Sequence, residues 1–144
     1  MIQGGNNDDR IFGNDGNDRL FGDSGNDVLT GGMGSDTLTG GAGADRFMMR
    51  NVNEGLDIIT DFEVDRDLLV FSASGFVGVD AVGMVTNQMF SLGTTATSNE
   101  HRFIYNSASG DLFYDSDGVG NTEQVKLAQL DVSLSITSSN FEVI

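Results

Sequence analysis

A period of nine residues governs the first third of the chain and leaves few folds open to it. Five tandem copies begin at Gly4, Gly13, Gly22, Gly31 and Gly40 and read GGNNDDRIF, GNDGNDRLF, GDSGNDVLT, GGMGSDTLT and GGAGADRFM. The first place is always Gly. The fourth is Gly in four copies and Asn7 in the other, Asn being a residue that tolerates a left-handed backbone. The sixth is always Asp (Asp9, Asp18, Asp27, Asp36, Asp45) and the eighth always apolar (Ile11, Leu20, Leu29, Leu38, Phe47). Six residues of turn and three of extended chain cannot bury a face alone. Two such half-coils complete one turn of a flattened parallel β-roll, with the eighth-place side chains stacked inward between two thin sheets. The expected fold class is all-β, a parallel roll closed by a β-rich C-terminal subdomain.

The invariant Asp gives the roll its chemistry. Neighbouring strands lie about 4.8 Å apart, so equivalent turns, such as those of Asp9 and Asp27, stack at that spacing. Carboxylates so close repel one another unless a cation lies between them. Calcium binds oxygen at about 2.3–2.6 Å, which suits an ion midway between two turns. Every candidate ligand is oxygen: the chain has no Cys, and its one His, His101, lies outside the repeats. Zinc favours N or S, and magnesium a tighter octahedron, so calcium is the expected metal. A flexible glycine-rich linker would not keep Asp and an aliphatic residue in register.

Composition narrows the partners. Seven basic residues against 22 acidic ones give a net charge of −15, which disfavours nucleic acid and anionic membranes and favours cations. Absence of Cys removes disulfides and thiol nucleophiles. No apolar run reaches the roughly 18 residues of a membrane span. Met1-Ile-Gln-Gly-Gly has neither the basic start nor the apolar stretch of a signal peptide, so export is expected to use another address.

These residues carry a resemblance. The repeat is similar to the RTX, or haemolysin-type calcium-binding, nonapeptide. The cues Gly43-Ala-Asp-Arg-Phe, Asp57-Ile-Ile-Thr-Asp-Phe, Asp67-Leu-Leu and Asn140-Phe-Glu-Val-Ile resemble the C-terminal region of secreted RTX proteins, particularly serralysin-type metalloproteases. The resemblance implies that an ion takes the second- and fourth-place carbonyls and the Asp of one turn. It would take first- and third-place carbonyls and the Asp from the turn 18 residues on. One site would then use Gly5, Asn7 and Asp9 with Gly22, Ser24 and Asp27. A second would use Asn14, Gly16 and Asp18 with Gly31, Met33 and Asp36, and a third Asp23, Gly25 and Asp27 with Gly40, Ala42 and Asp45. The motif ends after Phe47, so one or two edge sites, from Gly32, Gly34, Asp36 and from Gly41, Gly43, Asp45, need partners further on. Asp57 is the preferred candidate and Asp61 the second. Three filled sites would bring the charge from −15 to −15 + 6 = −9, coupling calcium binding to folding.

Residues 1–48 are thus read as the roll and 49–144 as a β-rich cap carrying a type I secretion signal. Asp57–Phe62, Leu68–Phe71 and Val125–Leu130 read as strands, and Arg102–Tyr105 with Asp111–Tyr114 as a hairpin. A short helix is expected within 77–90. Asp115-Ser-Asp-Gly-Val-Gly-Asn resembles part of an EF-hand loop but has Phe113 where the first ligand should stand, so a plain acidic turn is expected. His101 is read as an exposed loop residue. The ninth-place Phe12 and Phe21 should face outward under upstream chain. The ending Phe141-Glu-Val-Ile resembles that of proteins exported by type I secretion and reads equally as a last docked strand.

The expected function is a bacterial, non-enzymatic calcium-binding module, secreted through the type I machinery, monomeric, and folding on Ca²⁺ after export. A calcium-dependent adhesin or polysaccharide-binding module is the alternative.

Overall fold

The computed structural model describes residues 1–79 and 81–144. The nine-residue period becomes strands β1 (Ile2–Asn6), β2 (Arg10–Asp15), β3 (Arg19–Ser24), β4 (Val28–Met33), β5 (Thr37–Ala42) and β6 (Arg46–Met49). Odd strands build one sheet and even strands the other, every neighbouring pair among them parallel. The eighth-place residues stack as expected, Leu20 with Leu38 in one sheet and Ile11, Leu29 and Phe47 in the other, and Ile2, ahead of the first copy, pairs with Leu20. Leu20, Leu29 and Phe47 are wholly buried.

The coil continues past the end of the motif. Strands β7 (Asp57–Ile59) and β8 (Leu68–Phe71) extend the two sheets in parallel, with Ile59 on Leu38 and Leu69 on Phe47. What changes is the step, which is 18 residues within the repeats and 21 or 22 here. The cap then prolongs both sheets. β13 (Val125–Gln129) joins β7 in parallel, followed by β12 (Asp111–Tyr114), β11 (Phe103–Asn106) and β10 (Phe90–Leu92). On the other sheet β14 (Phe141–Val143) lies between β8 and β9 (Gly83–Met84). The roll's growing edge is therefore paired by cap strands, which removes a template for aggregation.

The β11–β12 hairpin forms where the sequence places it, closed by Gly110 with φ +78° and an N–H bond to the Asn106 carbonyl. The helix expected within 77–90 does not form. Residues 77–79 and 81–90 hold turns, β9 and the start of β10, while Asp80 lies outside the described residues. Gly78 and Gly83 have φ of +88° and +119°, which breaks any helix there, and Met84 pairs with Glu142 instead. The cap core is aromatic: Phe71, Phe76, Phe103, Tyr114 and Phe141 meet with ring centroids 4.5–5.9 Å apart. The chain's last strand is thus central to the folded cap, and Glu142 also pairs with Arg46 of β6.

Candidate metal centre

Turns between the roll strands repeat one backbone device. In all five copies the second place has a left-handed φ: Gly5 +102°, Asn14 +71°, Asp23 +70°, Gly32 +98° and Gly41 +97°. So has the fourth: Asn7 +90°, Gly16 +114°, Gly25 +140°, Gly34 +140° and Gly43 +152°. This alternation explains the fourth-place glycines and shows that Asn14 and Asp23 take the glycine conformation. The first-place glycines lack a positive φ and are required by space, since a Cβ on Gly22 would collide with both Asp27 Oδ2 and the Gly40 carbonyl oxygen. It also brings carbonyls into close quarters. A Cβ on Gly25 would collide with the Asn7 carbonyl, and one on Gly34 with that of Gly16.

The sixth-place aspartates line up in two columns, Asp9–Asp27–Asp45–Asp67 and Asp18–Asp36–Asp57. Each later carboxylate accepts the backbone N–H of the Asp one coil earlier through Oδ1. Asp27 takes that of Asp9 at 2.8 Å, Asp45 that of Asp27 at 2.8 Å, and Asp67 that of Asp45 at 2.9 Å. Asp36 takes that of Asp18 at 2.7 Å, and Asp57 that of Asp36 at 3.1 Å. The second oxygens tell the other half. Oδ2 of Asp9, Asp27, Asp36 and Asp45 is buried with no hydrogen-bond partner. Around Gly4 the geometry is explicit: a Cβ there would lie 2.9 Å from both Asp9 Oδ2 and the Gly22 carbonyl oxygen of the next coil. Unpaired acceptors aimed with carbonyls into a space too small for a methyl group fit a bare cation. An all-oxygen set of two carboxylates and several carbonyls fits calcium. No three His, Cys, Asp or Glu side chains cluster tightly enough to hold a metal unaided among the described residues, as expected where backbone carbonyls supply most of the ligands.

Electrostatics agree. Burial pushes the Asp27, Asp36 and Asp67 carboxyls up, against the lowering effect of their backbone hydrogen bonds, with neighbouring carboxylates adding to the rise. Asp45 is raised to about 6 and Asp57 to about 7 for the same leading reason, removal from water. Without a cation, the buried members of these columns hold protons more readily than free carboxyls do.

Each pair of turns read from the sequence as a site is brought together. Gly5, Asn7 and Asp9 face Gly22, Ser24 and Asp27 across β1 and β3, while Asp23, Gly25 and Asp27 face Gly40, Ala42 and Asp45 across β3 and β5. Across β2 and β4, Asn14, Gly16 and Asp18 face Gly31, Met33 and Asp36. The Met33 and Ala42 carbonyls also accept the N–H groups of Gly16 and Gly25, which leaves each a second lone pair. At the edge, Asp57 stands over Asp36. Asp61 stands in neither column: its two oxygens accept the N–H groups of Gly40 and Gly41 at 2.9 and 2.8 Å. The residue above Asp45 is Asp67, whose Oδ2 accepts the Glu63 N–H. Its signal is present in Asp67-Leu68-Leu69, an Asp two places before a core aliphatic, displaced from the period by four residues.

Sequence reasoning also missed a ladder at the fifth place. Asp8 Oδ1 accepts the Asn26 N–H at 2.7 Å, Asn26 Oδ1 that of Ala44 at 2.9 Å, and Asn17 Oδ1 that of Ser35 at 2.9 Å. These bonds stitch the coils without metal. Elsewhere, the Asp115–Asn121 loop is the acidic turn expected. Asp115 Oδ1 caps the N–H groups of Asp117 and Gly118, and Asp117 Oδ2 those of Asn121 and Thr122. His101 is half-buried, its Nδ1 accepting the Thr97 N–H. Phe12 is covered in part by downstream chain, the Arg50 guanidinium lying 5.0 Å from its ring centroid.

With this geometry in view, comparison with known proteins is direct. The family model of the RTX calcium-binding nonapeptide repeat, four copies long, matches residues 1–29 and again 12–47. Residues 1–47 are therefore RTX calcium-binding repeats, and they form a parallel β-roll. Among solved structures, it is similar to the solution structure of the AlgE6R3 subunit from the Azotobacter vinelandii mannuronan C5-epimerase. The TM-score is 0.55 at 22% identity, over 96% of this chain and 78% of that one. At that identity the likeness is one of fold. No curated protein sequence matches the chain.

Proposed function

We propose that the chain is a non-catalytic module of a secreted bacterial protein that leaves the cell unfolded and closes its roll when it meets calcium outside. The observation carrying this reading is the pair of Asp columns, whose buried, unpartnered Oδ2 atoms are costly when charged and metal-free. In a low-calcium cytoplasm the columns repel and the roll stays open. In millimolar calcium, each ion joins two coils, so binding and folding are one event. Burial of Phe141 and Val143 in β14 supports the export reading, since that ending is accessible to a type I transporter only before the cap folds.

Circular dichroism across a calcium titration, reversed with EGTA, tests the proposal. A cooperative rise in β signal is expected. The same ordered roll in metal-stripped buffer would overturn it.

The fold likeness to an epimerase subunit motivates a second reading, a calcium-dependent polysaccharide-binding module. A net charge of −15 weighs against anionic polysaccharides unless calcium bridges them, and a glycan array with and without calcium separates the two.

A further inference from the structure

By pairing the roll's growing edge, the cap moves the open edges of both sheets to its own far end. There β10 is the last strand of the eight-stranded sheet and β9 of the six-stranded one, and neither has a further strand beside it among the described residues. At the opposite end of the molecule the last strands are β1 and β2.

The sequence treats the two ends differently. Charged side chains keep an open edge from pairing with another chain, and the first coil of the roll is dense with them: Asp8, Asp9, Arg10, Asp15, Asp18 and Arg19. The far end of the cap has none. Between Asp80 and Glu100, residues 81–99 form a run of 19 without a charge, in a chain whose charged residues make up 20%. That run contains both β9 and β10. Residues 132–141 form a second uncharged run, and the fold brings the two together. Ser138 Oγ donates to Asn87 Oδ1 at 2.6 Å, and the Val85 N–H to the Phe141 carbonyl at 3.0 Å. Leu92, Leu134 and Ile136 line one shallow hollow with Ser107, Ser133 and Ser135.

Apolar side chains stand out from this end. Val82, Met84, Leu92 and Val132 are each at least half exposed. Phe90 and Leu92, two apart on β10, share one face of the sheet. Phe90 meets Phe141 with ring centroids 5.1 Å apart, and Leu92 carries the same layer out to solvent at 62% exposure. The core is open here.

We infer that this end is the interface of a symmetric dimer, in which a second copy of the chain meets the first about a two-fold axis and β10 runs antiparallel to the partner copy's β10. Charge selects the occupant and the orientation. Each copy carries −15, and a two-fold contact sets a surface against itself. Through the roll end it would press Asp8, Asp9, Asp15 and Asp18 on their own counterparts; through the cap end it buries Val82, Met84, Leu92 and Val132 and pairs the free backbone of β10. A standard interface takes about 20–30 residues a side, and residues 81–99 with 132–138 supply 26. The dimer stands in place of the expected monomer and goes beyond calcium-dependent closure, from which it takes only the folded cap.

Sedimentation equilibrium of the full chain in calcium tests the inference, with β signal read on the same samples. Wild type should approach twice the 15.3 kDa of one chain as concentration rises. Leu92→Glu should raise the dimer dissociation constant about a hundredfold, about tenfold for each copy, because the axis counts the substitution twice. Val82→Glu, at the edge of the other sheet, should act alike and serves if Leu92→Glu does not fold. Val77→Glu, an equally apolar and 80% exposed position beside Val52 and Val125, should leave the dimer intact. Added salt should strengthen association by screening the residual charge. A folded wild-type monomer at every concentration overturns the inference while the proposed function stands, as does a dimer indifferent to Leu92→Glu and Val82→Glu or one weakened by salt. A folded monomer that sediments with phosphatidylcholine vesicles would also overturn it, giving the face to a lipid surface. Absence of a calcium-induced β signal refutes the proposed function instead.

Discussion

Replacing Asp27 should do far more harm than replacing Asp9, although the two occupy the same place in the motif. Asp27 is the middle of its column: Oδ1 holds the Asp9 N–H, Oδ2 faces the next coil, and its own N–H bonds Asp45. On the proposed site assignment it therefore belongs to two ion sites, whereas Asp9, on the first coil, belongs to one. At calcium tenfold above Kd, each site adds RT ln 11, about 1.4 kcal/mol, to folding. Asp27→Ala forfeits two sites, about 2.8 kcal/mol, and leaves the Asp9 N–H without its acceptor, a further cost of about 1–3 kcal/mol. Asp9→Ala forfeits about 1.4 kcal/mol. Urea unfolding by circular dichroism at that calcium concentration should separate the variants by about 2.4–4.4 kcal/mol, on the sums above. A marginal domain would not survive the larger figure. The calcium-dependent share should vanish in EGTA. Equal losses in the two variants, or a difference that persists undiminished without calcium, would refute the assignment of Asp27 to two sites.

Acid should partly substitute for calcium. The folded-state carboxyls of Asp45 and Asp57 lie at about 6 and about 7, above the ordinary 3.8, so folding takes up protons. Their contribution to stability is fully present below about pH 4 and lost as pH rises through 6–7. Metal-free chain should accordingly gain β signal when taken from about pH 7.5 to about pH 5 in stripped buffer, and a flat or opposite titration would count against it. Gly25→Ala places a side chain at φ +140° against the Asn7 carbonyl, whereas Gly5→Ala, at φ +102°, meets open space. Thermal melts in calcium should show both variants strained by about 1–3 kcal/mol and Gly25→Ala the worse. Asn26→Ala removes the acceptor of the Ala44 N–H at an exposed turn; it should lower stability in urea by about 0.5–1.5 kcal/mol without changing calcium stoichiometry. Deleting residues 139–144 strips β14 from between β8 and β9 and uncovers Phe71 and Phe103, so dye binding to exposed apolar surface should rise sharply, and export by a type I transporter should fail.

The roll is legible because each of its constraints is local. A left-handed φ favours Gly, Asn or Asp, a shared ion needs Asp, and an inward strand place needs an apolar side chain, all recurring at fixed distance. The Asp columns follow from the period alone. Beyond Phe47 the same constraints persist but their spacing does not. Three residues slip in before Val52, the step grows to 21 and 22, and a search for nine loses the thread while the fold keeps it. That slip hides Asp67 and puts Asp61 outside the columns, because two carboxylates four residues apart look alike in the sequence until one is seen to cap the N–H groups of Gly40 and Gly41. The helix expected within 77–90 fails for another reason: its apolar residues say nothing of the backbone demands of Gly78 and Gly83.

The two ends of the roll therefore differ in kind. Each coil is held by the Asp of the coil after it and by the fifth-place Asx of the coil before it, and burial deepens along both columns, from half-buried Asp9 and Asp18 to buried Asp27, Asp36, Asp45, Asp57 and Asp67. At the cap end, β7 is already held by β13 and β8 by β14, so a coil laid there joins existing strands and gives up the least chain entropy. At the other end β1 and β2 have roll neighbours on one side only. Closure should run from the cap toward Ile2, as in other one-dimensional arrays whose stability is a sum of neighbour interfaces. Hydrogen exchange during calcium-triggered folding would show it, with amides of β5–β8 protected before those of β1 and β2; protection in the reverse order would mean that the repeats nucleate without the cap.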